Sequence, residues 1–469
     1  MHQKSIDWTP LAGCLLRVFF LCLFTHPLPA RSEPQGTAIT LEAALTRALA
    51  ENNLVRAGAF ALNKAGWNKK QAWSRLFPTL RLNTRFTRID ERTLAERDFT
   101  QFFPPELGGQ VPKTVFRNAF YTSLDLSMPL FNGVLLNGLA IASANQSAAA
   151  AQHQSTRDRI AFTVVRTYLD NLKAQDLLSV QEEYLNLSRR NFEKAGRLHK
   201  AGRLSKTDVL RWKVDLQQQK STVVAGRSAL RSARTLLARL LNLPMHDPVA
   251  VDARIPQRLQ VESDRLAALS DAELLNRIPP NDNALIQANP ALRAGKAGHR
   301  ISRLLYRNTR AAYLPDLSLT YSHAWRENNT LALDDYSPKI LMLHFSMPLF
   351  TGFQNFTALK SAYYDYRQTE EQFADQIQNI RFVLTETANR LINLKTQREL
   401  ADANVEFNTH SYRIVEQQRE KGLVSNLDWI DAKLNLQNAR LGAITARYDF
   451  MAATVEWHHL LGTLDTLLE

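Results

Sequence analysis

The chain has 469 residues, 45% of them hydrophobic, with 58 Lys and Arg against 45 Asp and Glu for a net charge of +13. That is enough apolar material for a large core or an elongated repeat structure. Mean hydropathy is negative, and no run after the first 30 residues is long and apolar enough for a membrane helix. The two cysteines, Cys14 and Cys22, exclude a disulfide framework if the segment that holds them is removed.

In chain order, that segment comes first. Lys4 and Arg17 precede the apolar run VFFLCLF at Val18 to Phe24, and THPLPA follows, ending at Ala30. A basic start, a short apolar run and a small residue after a Pro-containing turn predict a secretory signal peptide over 1–30. LAGC at Leu11 to Cys14 has the letters of a lipoprotein box, but it precedes the apolar run rather than following it.

Next comes a long internal repeat, which should be sought before any other reading. SMPLFNG at Ser127 to Gly133 returns as SMPLFTG at Ser346 to Gly352. NNLVRAG at Asn52 returns as NPALRAG at Asn289, AGRLSKTDVL at Ala201 as KGLVSNLDWI at Lys421, and LLNLP at Leu240 as LLGTL at Leu460. Spacings agree except for 18 extra residues between Pro78 and Pro129 relative to Pro315 and Pro348. The organisation expected is a first repeat over 40–244, a linker over 245–281 and a second repeat over 282–469.

Each repeat opens with alternation. Leu80, Leu82 and Phe86 alternate with Arg81, Asn83 and Arg85; Phe120, Leu124, Leu126 and Met128 alternate with Arg117, Tyr121, Ser123 and Asp125. The second half does the same from Leu317 to Arg326 and from Leu341 to Met347. Period-two patterning predicts four strands of about ten residues, the length of a tilted strand in an outer membrane. Polar loops, Asp90 to Val115 and Glu327 to Pro338, join them in pairs. Because a sheet in lipid cannot keep an open edge, four strands predict an oligomer.

Each repeat then becomes helical. No proline lies between Pro129 and Pro244 or after Pro348. Ile160, Val164, Tyr168 and Leu172 form one apolar face, as do Ile380, Leu384, Ala388 and Ile392. The pattern from Phe131 to about Lys200 implies a helix of about 105 Å. Pro129 and Pro348 are expected to break strand pairing and start the helices, with Gly133 and Gly352 making the turn. At the far ends Gly202 and Gly422 suit helix C′ positions. Ser205 and Ser425 suit N-caps, with Asp208 and Asp428 three residues on.

In order and duplicated, these motifs resemble the TolC-type outer membrane factor family, over nearly the whole chain after residue 30. The carriers are Asn289-Pro290-Ala291-Leu292, the two SMPLF segments, and the tips at Gly202 and Gly422; the first half departs with NNLV where NPxL is expected. The resemblance implies a homotrimer: a twelve-strand β-barrel in outer-membrane lipid of a Gram-negative bacterium, above a long periplasmic α-helical barrel. It implies a passive exit duct of a tripartite efflux pump or type I secretion system. The tips would dock on a periplasmic adaptor (membrane fusion) protein, and an inner-membrane pump or ABC exporter would supply the energy. It also implies an entrance carboxylate ring, for which Glu416 and Glu420 are the acids available, interspersed with Arg413 and Arg419.

Charge placement adds two expectations. Arg81, Arg85, Arg117 and Arg326 would line the barrel lumen. Around the first tip, Arg189 to Lys220 holds ten basic and three acidic residues, against five and four in Asn408 to Arg440, so Arg197, Lys200 and Arg203 are candidate docking residues. No nucleophile motif or phosphate loop is present, and His458-His459 lacks further ligands at metal spacing, so neither enzyme, metal site nor cofactor is expected. Export and strand alternation speak against a nucleic-acid partner. The competing reading is a structural coiled-coil envelope protein without an open channel.

Overall fold

The computed structural model describes residues 38–469 except 98–103, 105–115, 246–248, 328–338 and 469. The expected leader, with Cys14 and Cys22, and most of both interstrand loops lie outside the described residues.

The first half runs α1 (Leu41–Glu51), α2 (Asn53–Ser74), β1 (Thr79–Arg88), α3 (Glu91–Arg97), β2 (Asn118–Asn132), α4 (Gly133–Lys200) and α5 (Lys206–Leu240). Two short helices follow, α6 (Gln257–Ala268) and α7 (Asp271–Asn276). The second half runs α8 (Asp282–Ala288), α9 (Pro290–Ala311), β3 (Asp316–Glu327), β4 (Lys339–Ser346), α10 (Gln354–Glu420) and α11 (Asn426–Leu461), and α12 (Asp465–Leu468) ends the chain. The order repeats, apart from α3, a helix in the first loop that the sequence reading missed. The stretch expected to be a linker also carries α6 and α7.

The strands form one antiparallel sheet in chain order, β1-β2-β3-β4. Leu82 faces Leu124 between β1 and β2, Leu124 faces His323 between β2 and β3, and Leu319 faces Leu343 between β3 and β4. The sheet stays open at both edges, and β1 and β4 are exposed along their whole length.

α4 has 68 residues and α10 has 67, which makes each about 100 Å long. Each folds back on its successor, α4 on α5 and α10 on α11. Ile160, Val164, Tyr168 and Leu172 are all buried, in a cluster with Leu237 of α5 and Val455 of α11. Leu384, Ala388 and Leu391 bury against Phe450 and Trp457 in a second cluster, with Ile380 and Ile392 of the expected face partly buried against it. The four-residue spacing therefore faces a core, where each large side chain contributes roughly 1.5–3 kcal/mol.

Asn52 and Asn289 explain how each half is stapled. Asn52 caps α2, its Oδ1 accepting from Leu54 N at 2.9 Å, while its Nδ2 donates to Leu240 O at 2.9 Å. Asn289 caps α9 by accepting from Ala291 N and Leu292 N, and its Nδ2 donates to Leu460 O at 2.9 Å. The Asn ties the returning hairpin to the helix it caps, so the missing proline of NNLV leaves the device intact. Just beyond each clamped carbonyl, Asn242 and Gly462 take φ of 54° and 69°. Those are left-handed positions that Asn and Gly tolerate best.

Candidate functional site

The sheet separates its chemistry by face. Arg81 pairs in register with Asp125, and Asp125 with Ser322. The Asp125 carboxylate accepts from Asn83 Nδ2 at 2.7 Å, Ser123 Oγ at 2.8 Å and Ser322 Oγ at 2.5 Å. Four strand residues thus share a polar network across three strands. The guanidinium groups of Arg85 and Arg326 lie 5.7 and 5.8 Å from the Tyr121 ring centre, on either side of it in the ladder. The opposite face presents Leu80, Leu82, Phe86, Leu341, Leu343 and Phe345, each more than half exposed. Arg81, Arg85 and Arg326 therefore share one polar face. Arg117 does not join them inside the strand: β2 begins at Asn118, and Arg117 pairs at 3.0 Å with Glu91 of α3.

The two junctions differ from the expected form and from each other. Neither proline starts a helix. β2 runs through Pro129, with a register shift between Pro129 and Phe131, and continues to Asn132. Asn132 then caps α4, accepting from Leu135 N at 2.8 Å. Gly133 is the first residue of α4 and does not make a left-handed turn; a Cβ there would lie 2.7 Å from Leu314 Cδ1. In the second half β4 stops at Ser346, and α10 starts at Gln354 after Gly352 and Phe353 turn through φ of 60° and 67°. The physical reason is pairing. β2 has a partner on each side, whereas β4 has one, so the ladder that carries β2 past its proline is missing beside Pro348.

The tips form as the sequence implies. Gly202 and Gly422 both take φ of 73°. Gly202 N donates to His199 O at 2.9 Å and Arg203 N to Leu198 O at 2.9 Å; Gly422 N donates to Arg419 O at 3.0 Å and Leu423 N to Gln418 O at 2.9 Å. These are the paired bonds of a Schellman cap. Ser205 and Ser425 cap the next helices, accepting from Asp208 N at 3.1 Å and Asp428 N at 3.2 Å. Only the second tip closes the full capping box, with Ser425 N donating to Asp428 at 3.1 Å. Arg197, Lys200 and Arg203 are exposed at the first tip.

Behind the tips lies a polar core that the sequence reading missed. Trp212, Asp215, Leu216 and Gln219 form a buried stripe on α5, and Trp429, Lys433, Leu436 and Gln437 one on α11. The Lys433 ammonium donates to both Asp215 carboxylate oxygens at 2.7 Å and to Ser188 Oγ of α4 at 3.0 Å. Burial holds Lys433 below the usual lysine range, against the pull of Asp215. Gln219 and Gln437 exchange amide bonds at 3.1 and 2.9 Å. The signal that could have found this is a Trp followed at helical spacing by polar residues on its own face.

Of the two acids considered for an entrance ring, Glu420 is exposed. Glu416 is half-buried and accepts from Trp429 Nε1 at 3.3 Å. The Arg419 guanidinium lies 4.3 Å from the Trp429 ring centre and 5.2 Å from that of Trp212, and burial holds it below the usual arginine value. Glu416 and Arg419 thus belong to the aromatic packing that joins the hairpins.

His458 and His459 turn apart. His458 Nδ1 lies 2.9 Å from Thr463 Oγ1, while His459 Nδ1 lies 2.7 Å from Asp158 Oδ2 with its ring stacked on Phe162. Among the described residues, no group of three metal-ligating side chains converges, and no helix is long and apolar enough to cross a membrane.

A four-strand sheet with one apolar and one polar face, continuous with two hairpins that each pair a helix of about 100 Å with one about half as long, defines the outer-membrane channel class of protein. The chain belongs to the outer membrane efflux protein family, which it matches over residues 44–243 and 283–463. It is 22% identical over 357 residues to the alkaline protease secretion protein AprF of Pseudomonas aeruginosa, covering 74% of this chain and 70% of that one. It is 22% identical over 365 residues to the outer membrane protein TolC of Salmonella enteritidis, with coverage of 74% and 70%. To the toluene efflux pump outer membrane protein TtgC of Pseudomonas putida it is 24% identical over 323 residues, covering 66% of this chain and 61% of that protein. Its fold matches the outer membrane protein VceC of Vibrio cholerae with a TM-score of 0.74 at 15% identity, covering 90% and 96% of the two chains. It matches the CmeC outer membrane channel of Campylobacter jejuni with a TM-score of 0.77 at 15% identity, covering 93% and 91%. The chain is thus an outer-membrane protein of the efflux and secretion channels of Gram-negative bacteria.

Proposed function

We propose that three copies close a twelve-strand barrel in outer-membrane lipid, with the helical hairpins forming a tunnel into the periplasm. The assembly is a passive exit duct for an efflux pump or type I secretion system, docked through its tips on a periplasmic adaptor and driven by an inner-membrane pump or ABC exporter. The observation that carries this is the open sheet: β1 and β4 each leave a backbone edge unpaired beside exposed Leu80, Leu82, Leu341 and Leu343. In hydrocarbon each unpaired backbone group costs several kcal/mol, so only closure makes the sheet viable.

The helices support the same closure. α9 packs against both α4 and α10, whereas its repeat equivalent α2 packs on α4 and leaves Phe60, Trp67 and Trp73 more than half exposed. The position that α10 of a second copy would fill is vacant beside α2. Arg81, Arg85 and Arg326 would then face the lumen. The chain does no chemistry; gradients and ATP are spent by its partners.

The test is reconstitution. Detergent-purified protein should have the mass of a trimer and give discrete single-channel conductance in planar bilayers. A folded monomer, or a trimer that conducts nothing, would favour a structural envelope protein instead.

A further inference from the structure

The two halves of the sheet obey one numerical rule. Pro78 corresponds to Pro315, an offset of 237, and Pro129 to Pro348, an offset of 219. Thr79 pairs with Ser127 in the first hairpin, and the offsets carry that pair to Asp316 and Ser346, which are paired in the second. Leu82 and Leu124 are likewise carried to Leu319 and Leu343, also a pair. The second hairpin reproduces the register of the first without slippage.

Between the halves, β2 pairs with β3, placing Leu124 opposite His323 and Asp125 opposite Ser322. The same offsets, applied to this contact, carry Leu124 to Leu343 and His323 back to Phe86. Within one chain these residues are on opposite edges of the sheet, so they can pair only between copies. Resting on the trimer reading above, we infer that β4 of one copy pairs antiparallel with β1 of the next in one register: Leu343 opposite Phe86, Phe345 opposite Thr84, and His344 opposite Arg85.

Two further observations agree. The first is the pleat. Leu343 and Phe86 both lie on the apolar face and are 62% and 53% exposed; a slip of one residue would set Leu341, Leu343 and Phe345 against the arginine-bearing face of β1, where only Ile340 and Met342 of β4 now lie as apolar residues. The second is the unequal length of β2 and β4. Past Ser127, β2 pairs with β3 alone, through Met128 to Asn132. The equivalent rows after Ser346 have no such neighbour in one chain. Leu349 and Phe350 there are 89% and 77% exposed, against 47% and 39% for their equivalents Leu130 and Phe131. Those rows are complete only when a neighbouring β1 lies alongside.

The register also fixes what the seam adds to the lumen. Within a chain, Asp125 answers Ser322 with a hydrogen bond. At the seam the same two positions hold His344 and Arg85. The row through it reads Arg326, Tyr121, Arg85, then His344 and Ser318 of the next copy, with no carboxylate in it. Three such rows, related by the trimer axis, make a wall suited to small anions that no single copy contains.

Cysteine pairs test the register in the full-length protein, with Cys14 and Cys22 changed to serine. Residues directly opposite in an antiparallel pair have Cα atoms roughly 4.5–5.5 Å apart, within disulfide reach; a two-residue offset places them about 8 Å apart. Phe86→Cys with Leu343→Cys should give covalent dimers and trimers as readily as the control pair Leu82→Cys with Leu124→Cys locks β1 to β2 inside one chain. Thr84→Cys or Arg88→Cys with Leu343→Cys should give less than about a tenth as much. If the apolar-face variants fail to assemble, Arg85→Cys with His344→Cys against Asn83→Cys with His344→Cys makes the same comparison on the polar face. A trimer that links best at an offset pair, or at none, overturns the register and leaves the trimer standing. A protein that never forms trimers overturns both.

Discussion

Lys433 and Asp215, 218 residues apart, meet where the two helical hairpins touch, with the ammonium 2.7 Å from both carboxylate oxygens and essentially no solvent reaching either side chain. Ser188 Oγ accepts the third ammonium proton at 3.0 Å, so the group is fully bonded. A buried pair of this kind adds little net stability compared with apolar residues of the same size, but breaking it is costly.

Lys433→Met should therefore destabilise the helical region by roughly 3–5 kcal/mol, because it strands Asp215 in the core. Lys433→Met combined with Asp215→Leu should recover most of that loss. Thermal unfolding followed by near-UV circular dichroism reads both. A double variant no better than the single one would mean the pair does more than satisfy its own charges.

Asn52 and Asn289 each cap one helix and bond the last turn of another. An N-cap lost to Ala costs about 1 kcal/mol, and an abandoned buried carbonyl about 1–3 kcal/mol more. Asn289→Ala should thus lower stability by roughly 2–4 kcal/mol. Asn289→Ser, which keeps a neutral N-cap oxygen and loses the amide donor to Leu460, should cost visibly less in the same melts. Equal losses for both variants would assign the whole effect to the bond with Leu460.

These two devices show what the sequence made legible. Four strands, two helices of nearly 70 residues and two tips could be read because period-two and four-residue patterns, Gly and Ser are local signals, and each was written twice. Asn52 and Asn289 were visible as a motif, though their bonds to Leu240 and Leu460 were not. Asp215 and Lys433 read as two more charges in tips rich in charge, because each occupies a helical position whose burial depends on the other hairpin. In the repeat they correspond to Asn435 and Lys213, so duplication offered no help. The junctions failed for the same reason: Pro129 and Pro348 share their nearest flanks and differ only at Asn132 against Thr351 within the motif, and what separates their backbones is a neighbouring strand present at one and absent at the other.

Tyr168 gives a pH signature at the alkaline end. Its hydroxyl donates to Ile39 O and Asp252 O at 3.3 and 3.2 Å, fastening α4 to the Ile39–Val251 bridge. Burial, reinforced by the nearby Asp252, pushes its pKa up to about 12 from the ordinary tyrosine value of 10.0. The neutral form is the one the fold favours, so its stabilisation is whole below pH 10 and is lost as pH rises from 10 towards 12. The melting temperature should fall across that window, and Tyr168→Phe should fall less steeply. Parallel curves for the two proteins would assign the alkaline loss to other groups, Tyr184, Tyr412 and Tyr448 among them, whose pKa values are also raised by burial.

On the polar strand face, Arg81, Arg85 and Arg326 outnumber Asp125 and Asp316, while Arg117 is neutralised by Glu91. Charged side chains along a pore set its ion preference. Bilayers under a salt gradient should show a mild preference for chloride over potassium. Changing the three strand arginines to Gln should move the reversal potential towards or past zero, whereas Arg117→Gln should change it little. Cation selectivity that ignores all four substitutions would place the selectivity in the helical tunnel.

Arg197, Lys200 and Arg203 are exposed and form no salt bridge among the described residues, and the Asp215 that opposes them in sequence is buried with Lys433. The solvent-facing first tip is therefore more basic than a count of charges suggests. At the second tip, Arg419 lies against Trp429 and Trp212, which leaves Arg413 and Lys421 as its exposed cations. If the adaptor presents an acidic hairpin, the first tip should capture it electrostatically and the second should engage it mainly by packing. Complementary charge acts chiefly on association rate, and salt screens it over about 8–10 Å. Reversing Arg197, Lys200 and Arg203 to Glu should slow adaptor association at least tenfold at low salt and much less at high salt, as read by surface plasmon resonance. Arg413→Glu with Lys421→Glu should do less. Reversing Arg419 is no control, because it removes a cation from the aromatic packing and would loosen the tip itself. Equal losses at both tips, or a loss indifferent to salt, would reduce the basic surface to a solvated face with no part in docking.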